Sequence, residues 1–135
     1  MPVCEAPGGI PCDDGEPCTD DLCFPGVGCE HADKTGVAAV TCTCERELPA
    51  ECADQAIPKR IQNYRIRACR LFSQALQGKP GRQRHRLKQG AKGLRRGISA
   101  VVQAQLRGLA PECAAALADQ FRDASDRATL AADQI

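Results

Sequence analysis

Residues 57–76 read IPKRIQNYRIRACRLFSQAL, and their spacing decides the fold class. Ile57, Ile61, Tyr64, Ala68, Leu71 and Ala75 recur at alternating intervals of four and three, which places them along one face of an amphipathic helix. Pro58 suits the first turn of that helix, and Gly78-Lys79-Pro80-Gly81 ends it. Downstream, Leu87, Ala91, Leu94, Ile98, Val101 and Gln105 form a second stripe, with Val102, Leu106 and Leu109 beside it. Gly90, Gly93 and Gly97 weaken its first half, each by about 1 kcal/mol relative to Ala. Gly108-Leu109-Ala110-Pro111 is a turn. A third helix then starts at Pro111 or Glu112 and aligns Cys113, Leu117, Phe121, Ala124 and Ala128.

Three amphipathic helices on short turns predict an up-down-up bundle, or a hairpin with an added helix. Their apolar faces are built from Ala and Leu, and the whole chain has no Trp, three Phe and one Tyr. Such a core buries modest area, and alone it is marginal. Upstream of the helices the pattern changes. Residues 1–34 are punctuated by Pro and Gly every few positions, which allows turns and at most short hairpins. Residues 36–42 read as one short strand or the start of a helix. The expected fold is therefore a small disulfide-rich head plus an all-α body. Residues 1–52 form an acidic Cys-rich module, packed on a basic three-helix region at residues 53–135.

The cysteines supply the missing stability. Cys4, Cys12, Cys18, Cys23, Cys29, Cys42, Cys44 and Cys52 lie in the head, Cys69 and Cys113 in the helices. Ten cysteines in 135 residues point to a disulfide framework in a small protein. Seven of the ten precede residue 45, so full pairing requires at least one bridge between the head and the later chain. In an up-down-up bundle the start of the third helix returns to the level of the start of the first. Cys113 therefore falls nearer Cys52 than Cys69, and Cys52–Cys113 is the expected pair. Cys42 and Cys44, one residue apart, should have different partners. Zinc is the rival use of these thiols. Cys18 and Cys23 form a C-x₄-C knuckle, but no second knuckle lies at the usual distance. Cytosolic thiols stay reduced, so the disulfide reading places the protein outside the cell or on its surface, with the export signal outside this sequence. No apolar run is long enough to span a bilayer.

The net charge of +1 averages over strongly polarised segments. Residues 1–56 carry twelve acids against Lys34 and Arg46, whereas residues 57–107 carry fourteen Lys and Arg and no acid. This asymmetry points to a polyanion partner or to pairing between copies.

The run Pro11-Cys12-Asp13-Asp14-Gly15-Glu16-Pro17-Cys18-Thr19-Asp20-Asp21-Leu22-Cys23-Phe24-Pro25-Gly26-Val27-Gly28-Cys29-Glu30-His31 resembles the CTDC repeat of slime-mould extracellular matrix and spore-coat proteins, copies of which occur in bacterial secreted proteins. It meets the pattern C-D-D-G-x-x-C-T-x-D-x-C-x-x-x-x-G-C-x-H at every fixed position. The family carries tandem copies, and here there is one. The resemblance implies secretion, disulfides within the repeat and a structural or adhesive role, with no catalytic activity.

Two clusters are candidate sites. Asp13, Asp14, Glu16, Asp20 and Asp21 put five carboxylates in nine residues, the oxygen-rich loop that Ca²⁺ requires. The alternative is a solvated acidic turn whose side chains cap the backbone. Lys79, Arg82, Arg84, Arg86, Lys88, Lys92, Arg95 and Arg96, with His85 among them, form a basic stretch without interleaved aromatics. It suits a nucleic acid or anionic glycan through charge, without base stacking. The plainer reading makes these cations the polar face of a helix or partners of the acidic head. With two histidines, no G-x-S-x-G and no H-E-x-x-H, catalysis has no signature, and the chain is not expected to be an enzyme.

The sequence thus predicts an extracellular or cell-surface structural protein, associating with itself or with neighbouring surface proteins through its acidic and basic faces. The alternative is a polyanion-binding module. Full pairing of the cysteines makes the denatured, unreduced protein ten hydrogens lighter than its reduced form by intact mass, with no alkylatable thiol. Ten alkylated thiols would overturn the exported reading and put zinc first.

Overall fold

A computed structural model describes residues 5–6, 10–11, 16–24 and 28–135, with residues 5–6, 10–11, 23–24 and 28 described by their backbone alone. The protein is mostly helical. Two short strands, β1 (Glu5–Ala6) and β2 (Ile10–Pro11), pair antiparallel. A hairpin follows, from β3 (Thr19–Phe24) and β4 (Gly28–Asp33), with Asp21 opposite His31 and Cys23 opposite Cys29. The ambiguous stretch after it is helical: α1 (Ala38–Thr41) runs into a 3₁₀ turn at Cys42–Glu45, and a second 3₁₀ turn covers Ala50–Cys52. Gly36, at φ 64°, makes the left-handed bend that starts this segment.

The bundle consists of α2 (Lys59–Ala75), α3 (Pro80–Leu106) and α4 (Pro111–Asp133). Helix α2 ends just before Gly78-Lys79-Pro80-Gly81, as expected, but Pro80 has a second role. It occupies the opening turn of α3, where its missing N–H would have no partner in any case. Consequently α3 reaches seven residues further upstream than Leu87, and the basic cluster after Lys79 lies on one continuous helix. The turn to α4 closes α3 with a Schellman motif. Leu109 N–H donates to the Ala104 carbonyl and Gly108 N–H to that of Gln105, and Gly108 takes φ 120°.

The third apolar stripe is buried as spaced, from Cys113 through Leu117, Phe121 and Ala124 to Ala128. The first two shift. Phe72, outside the α2 stripe, is the largest fully buried side chain, while Leu71 is only half-buried. On α3, Gln105 is exposed and Leu106 is 84% exposed; Ala104 packs against the core instead. Two of the three glycines expected to weaken α3 are packing devices. A Cβ on Gly90 would lie 2.4 Å from Phe72, and one on Gly97 would lie 2.7 Å from Phe121 and 3.1 Å from Tyr64. Small residues there admit the aromatic rings that fill the bundle. Gly93 has nothing within 4 Å of that position.

Helix α3 packs on both α2 and α4, and the segment from α1 through the second 3₁₀ turn packs against α2 and α4. Val40 and Cys52 of that segment belong to the same core as the bundle. Its covalent ties follow the same geometry. Cys18–Cys42 joins the hairpin to the 3₁₀ turn, Cys44–Cys69 joins that turn to α2, and Cys52–Cys113 joins the second turn to α4. The Cys52–Cys113 pair therefore forms as expected, and Cys42 and Cys44 face different partners. Cys29 is also disulfide-bonded, and no free cysteine occurs among the described residues. Cys4 and Cys12 lie outside them. By loop closure, a bridge spanning 61 residues stabilises the fold by about 4 kcal/mol. Among the described residues no helix is long and apolar enough to cross a membrane.

The glycines give opposite expectations for the same substitution. Gly93→Ala raises stability by about 1 kcal/mol through helix propensity, whereas Gly90→Ala lowers it by about 2 kcal/mol by displacing Phe72. Urea unfolding of the oxidised protein measures both, and a gain from Gly90→Ala would contradict the close ring contact.

Candidate functional site

Arg46 follows the 3₁₀ turn in an extended conformation, φ −67° and ψ 139°, and its side chain bridges the hairpin base and the bundle. Its Nε donates to Glu16 Oε1 at 3.0 Å and its Nη1 to Asp123 Oδ2 on α4 at 2.6 Å. The same Asp123 oxygen takes Arg127 Nε at 3.0 Å, and Arg127 Nη1 donates to the Ala39 carbonyl at 3.3 Å. From α2, Arg65 donates to the Arg46 carbonyl. Glu16, Arg46, Asp123 and Arg127 thus alternate in sign along one network. Burial works against the Arg46 charge, but hydrogen bonds to Asp123 and Glu16 outweigh it and hold the guanidinium above its ordinary pKa. Burial likewise opposes ionisation of Asp123, and the bonds from Arg46 and Arg127 more than offset it, leaving its carboxyl below the usual range. Arg65, which makes no ion pair to offset its burial among the described residues, is pushed down.

The carboxylates expected to gather around Ca²⁺ are drawn to separate partners. Glu16 Oε1 also accepts the Cys18 N–H at 3.1 Å, besides its pair with Arg46. Asp21 meets His31 Nδ1 at 2.7 Å across the hairpin, and Asp20 lies 4.0 Å from Lys34 Nζ. Asp20 and Asp21 are consecutive on β3, so they point to opposite faces. Among the described residues, no group of three or more Asp, Glu, His or Cys could hold a metal ion; Asp13 and Asp14 lie outside them. The cation that answers this acidic run, Arg46, is 30 residues away from Glu16 in sequence. It was visible only as one of two cations among the twelve acids of residues 1–56.

The basic stretch has the opposite character. Lys79, Arg82, Arg84, His85, Lys88, Lys92, Arg95 and Arg96 are exposed and Arg86 is half-buried. None of the fourteen cations of residues 57–107 ion-pairs with a carboxylate among the described residues. Arg84 donates to the Ile135 backbone oxygen. The cations line the polar face of their helix, and Glu16, Asp20 and Asp21 of the head pair elsewhere. Lys59, Arg60, Arg67 and Arg70 extend the charge onto α2, an extension marked in the sequence by the missing acids. Arg60 and Arg107 converge with Gln55 and Gln103 on an open groove of about 410 Å³ between the start of α2 and the end of α3. A second groove, of about 330 Å³, is apolar and lined by Leu48, Ile57, Ile66, Leu117 and Phe121.

Compared with protein-family models, curated proteins and solved structures, the chain finds no match.

The Asp123 network makes the fold acid-sensitive. A carboxyl with a depressed folded pKa contributes stability above its unfolded value, and that contribution is lost as pH falls through the folded value. Thermal melting should therefore drop below about pH 4. Asp123→Asn should melt lower at neutral pH and lose less on acidification. An unchanged acid slope in the variant would remove Asp123 from the account.

Proposed function

We propose that the protein is an extracellular interaction module that meets an anionic partner through the basic flank of α2 and α3. The observation that carries this reading is the contrast between its two charged regions. Glu16 of the head and Asp123 of α4 meet cations at the Arg46 junction, while the twelve Lys and Arg of α2 and α3, with Lys79 and Arg107 at the ends of α3, have no carboxylate partner among the described residues. Like charges held side by side repel. A partner that neutralises them gains Coulomb attraction and releases its counterions.

The disulfides support the extracellular setting, since bridges of this kind persist where thiols are oxidised. The likeness of residues 11–31 to the CTDC repeat supports it as well, and assigns the head a structural role. No nucleophile, metal cluster or enclosed pocket enters the reading, which treats the protein as a binder and not an enzyme.

A second reading, association between copies, is favoured by a separate observation. Glu45, Glu47, Glu51 and Asp54 are exposed on the segment that packs against α2 and α4, across the bundle from the outer face of α3. One copy's acidic flank can meet the next copy's α3, a heterologous contact that propagates unless it closes.

Cation-exchange and heparin columns separate the outcomes, with sedimentation velocity at the same salt concentrations. The main reading expects a monomer retained at low salt and released steeply as salt rises. Reversible, salt-sensitive assembly with poor retention supports the second reading. A monomer that flows through both columns at low salt refutes both.

A further inference from the structure

The fourteen cations are not spread evenly, and their arrangement on α3 restricts what can bind. At 3.6 residues per turn, Arg84, Lys88, Lys92, Arg95 and Arg96 fall within about 120° of the helix circumference. All five are exposed. The stripe faces away from Leu87, Gly90, Ala91, Leu94 and Val101, which are buried. At 1.5 Å per residue it is about 18 Å long, with axial steps of about 6, 6, 4.5 and 1.5 Å between successive cations. Because α1 and the 3₁₀ turns pack against α2 and α4, the described chain leaves this outer face open.

Resting on the reading of α2 and α3 as an anion-binding flank, we infer that the α3 stripe docks a linear sulfated polysaccharide. Single anionic groups spaced several ångströms apart along one chain match one row of cations, charge to charge. Arg95 and Arg96 offer planar forks that hold tetrahedral oxyanions by paired hydrogen bonds. A single nucleic-acid strand would need stacking platforms. Helix α3 has no Phe, Tyr or Trp and offers one exposed imidazole, His85; Phe72 and Phe121 are buried in the core, and Tyr64 packs against Gly97. A duplex carries one charge per about 1.7 Å of its axis, divided between two strands. One row of five cations leaves most of that charge unmatched.

The test uses the intact, oxidised protein with heparin oligosaccharides of increasing length, the same chains after desulfation, and duplex DNA of comparable length at equal salt. Affinity for the sulfated chains should rise with length and level off once the stripe is spanned, and it should vanish on desulfation. The variant Lys88→Ala/Lys92→Ala/Arg95→Ala should bind at least about tenfold more weakly and lose about one unit of salt slope per contact removed. Arg122→Ala, on α4 and paired with Asp119 at 3.0 Å, should bind like the parent. Circular dichroism establishes that each variant is folded. Tighter binding to duplex DNA than to sulfated chains, or a triple variant that binds like the parent, overturns the inference and leaves the anionic-partner reading standing. No binding to any of these polyanions at low salt refutes that reading as well.

Discussion

The clamp formed by Cys44–Cys69 and Cys52–Cys113 is the constraint on which the rest of the structure depends. Both bridges start from one short segment, and they end on α2 and on α4. The segment has only brief helical turns, too short to be stable alone, so its place over the bundle comes from these covalent ends and from Val40 and Cys52 in the shared core. Holding α2 and α4 to one strap also limits how far they can separate in the unfolded chain, the usual source of disulfide stabilisation. Helix α3 contains no cysteine and is the bundle helix without a strap. It is held by fit: Phe72 over Gly90, Phe121 over Gly97, and Ser125 Oγ donating to the Ala91 carbonyl at 3.2 Å.

What the sequence made legible follows from this division. Periodicity located three helices, and the level of Cys113 in an up-down-up path identified its partner, because both depend on spacing within the chain. The packing of α3 was less legible. Glycine counts as a helix weakener by propensity, and only the opposing ring shows that Gly90 and Gly97 make room while Gly93 does not. Phe72 lay one position off the apparent stripe for a related reason. Its burial is set by the groove that Gly90 opens on another helix. The stretch at residues 78–81 marked the end of α2, but a stop and a first turn share the same Pro, so the start of α3 at Pro80 was hidden.

The candidate sites divide in the same way. The missing acids of residues 57–107 were legible as composition, and they remain unanswered by any carboxylate among the described residues. The acidic run looked equally unanswered in sequence, yet its Glu16 meets Arg46 across 30 residues, and Arg46 meets Asp123 across 77. Such a contact has no local signature. It depends on the 3₁₀ turn placing residue 46 beside α4, and therefore on the bridges at Cys42 and Cys44 that position that turn.

The two charged regions consequently have different physical roles. At the junction each charge has an opposite neighbour within hydrogen-bonding reach, partly shielded from water, so its interactions are short-ranged and little screened. They hold the hairpin base, the strap and α4 together. On α3 the cations face solvent, where each contributes little to stability and their mutual repulsion costs some. A helix already weakened by Gly93, which makes room for no neighbour, and by like charge would gain stability from almost any exchange of Lys or Arg for Glu at i, i+4. That no such exchange occurs over 51 residues is poorly accounted for by folding, and it is what the proposed anionic partner would require. On the proposed reading, the disulfide strap allows α3 to keep that charge: with α2 and α4 fixed from the far side, the fold tolerates a helix whose composition does little for its own stability.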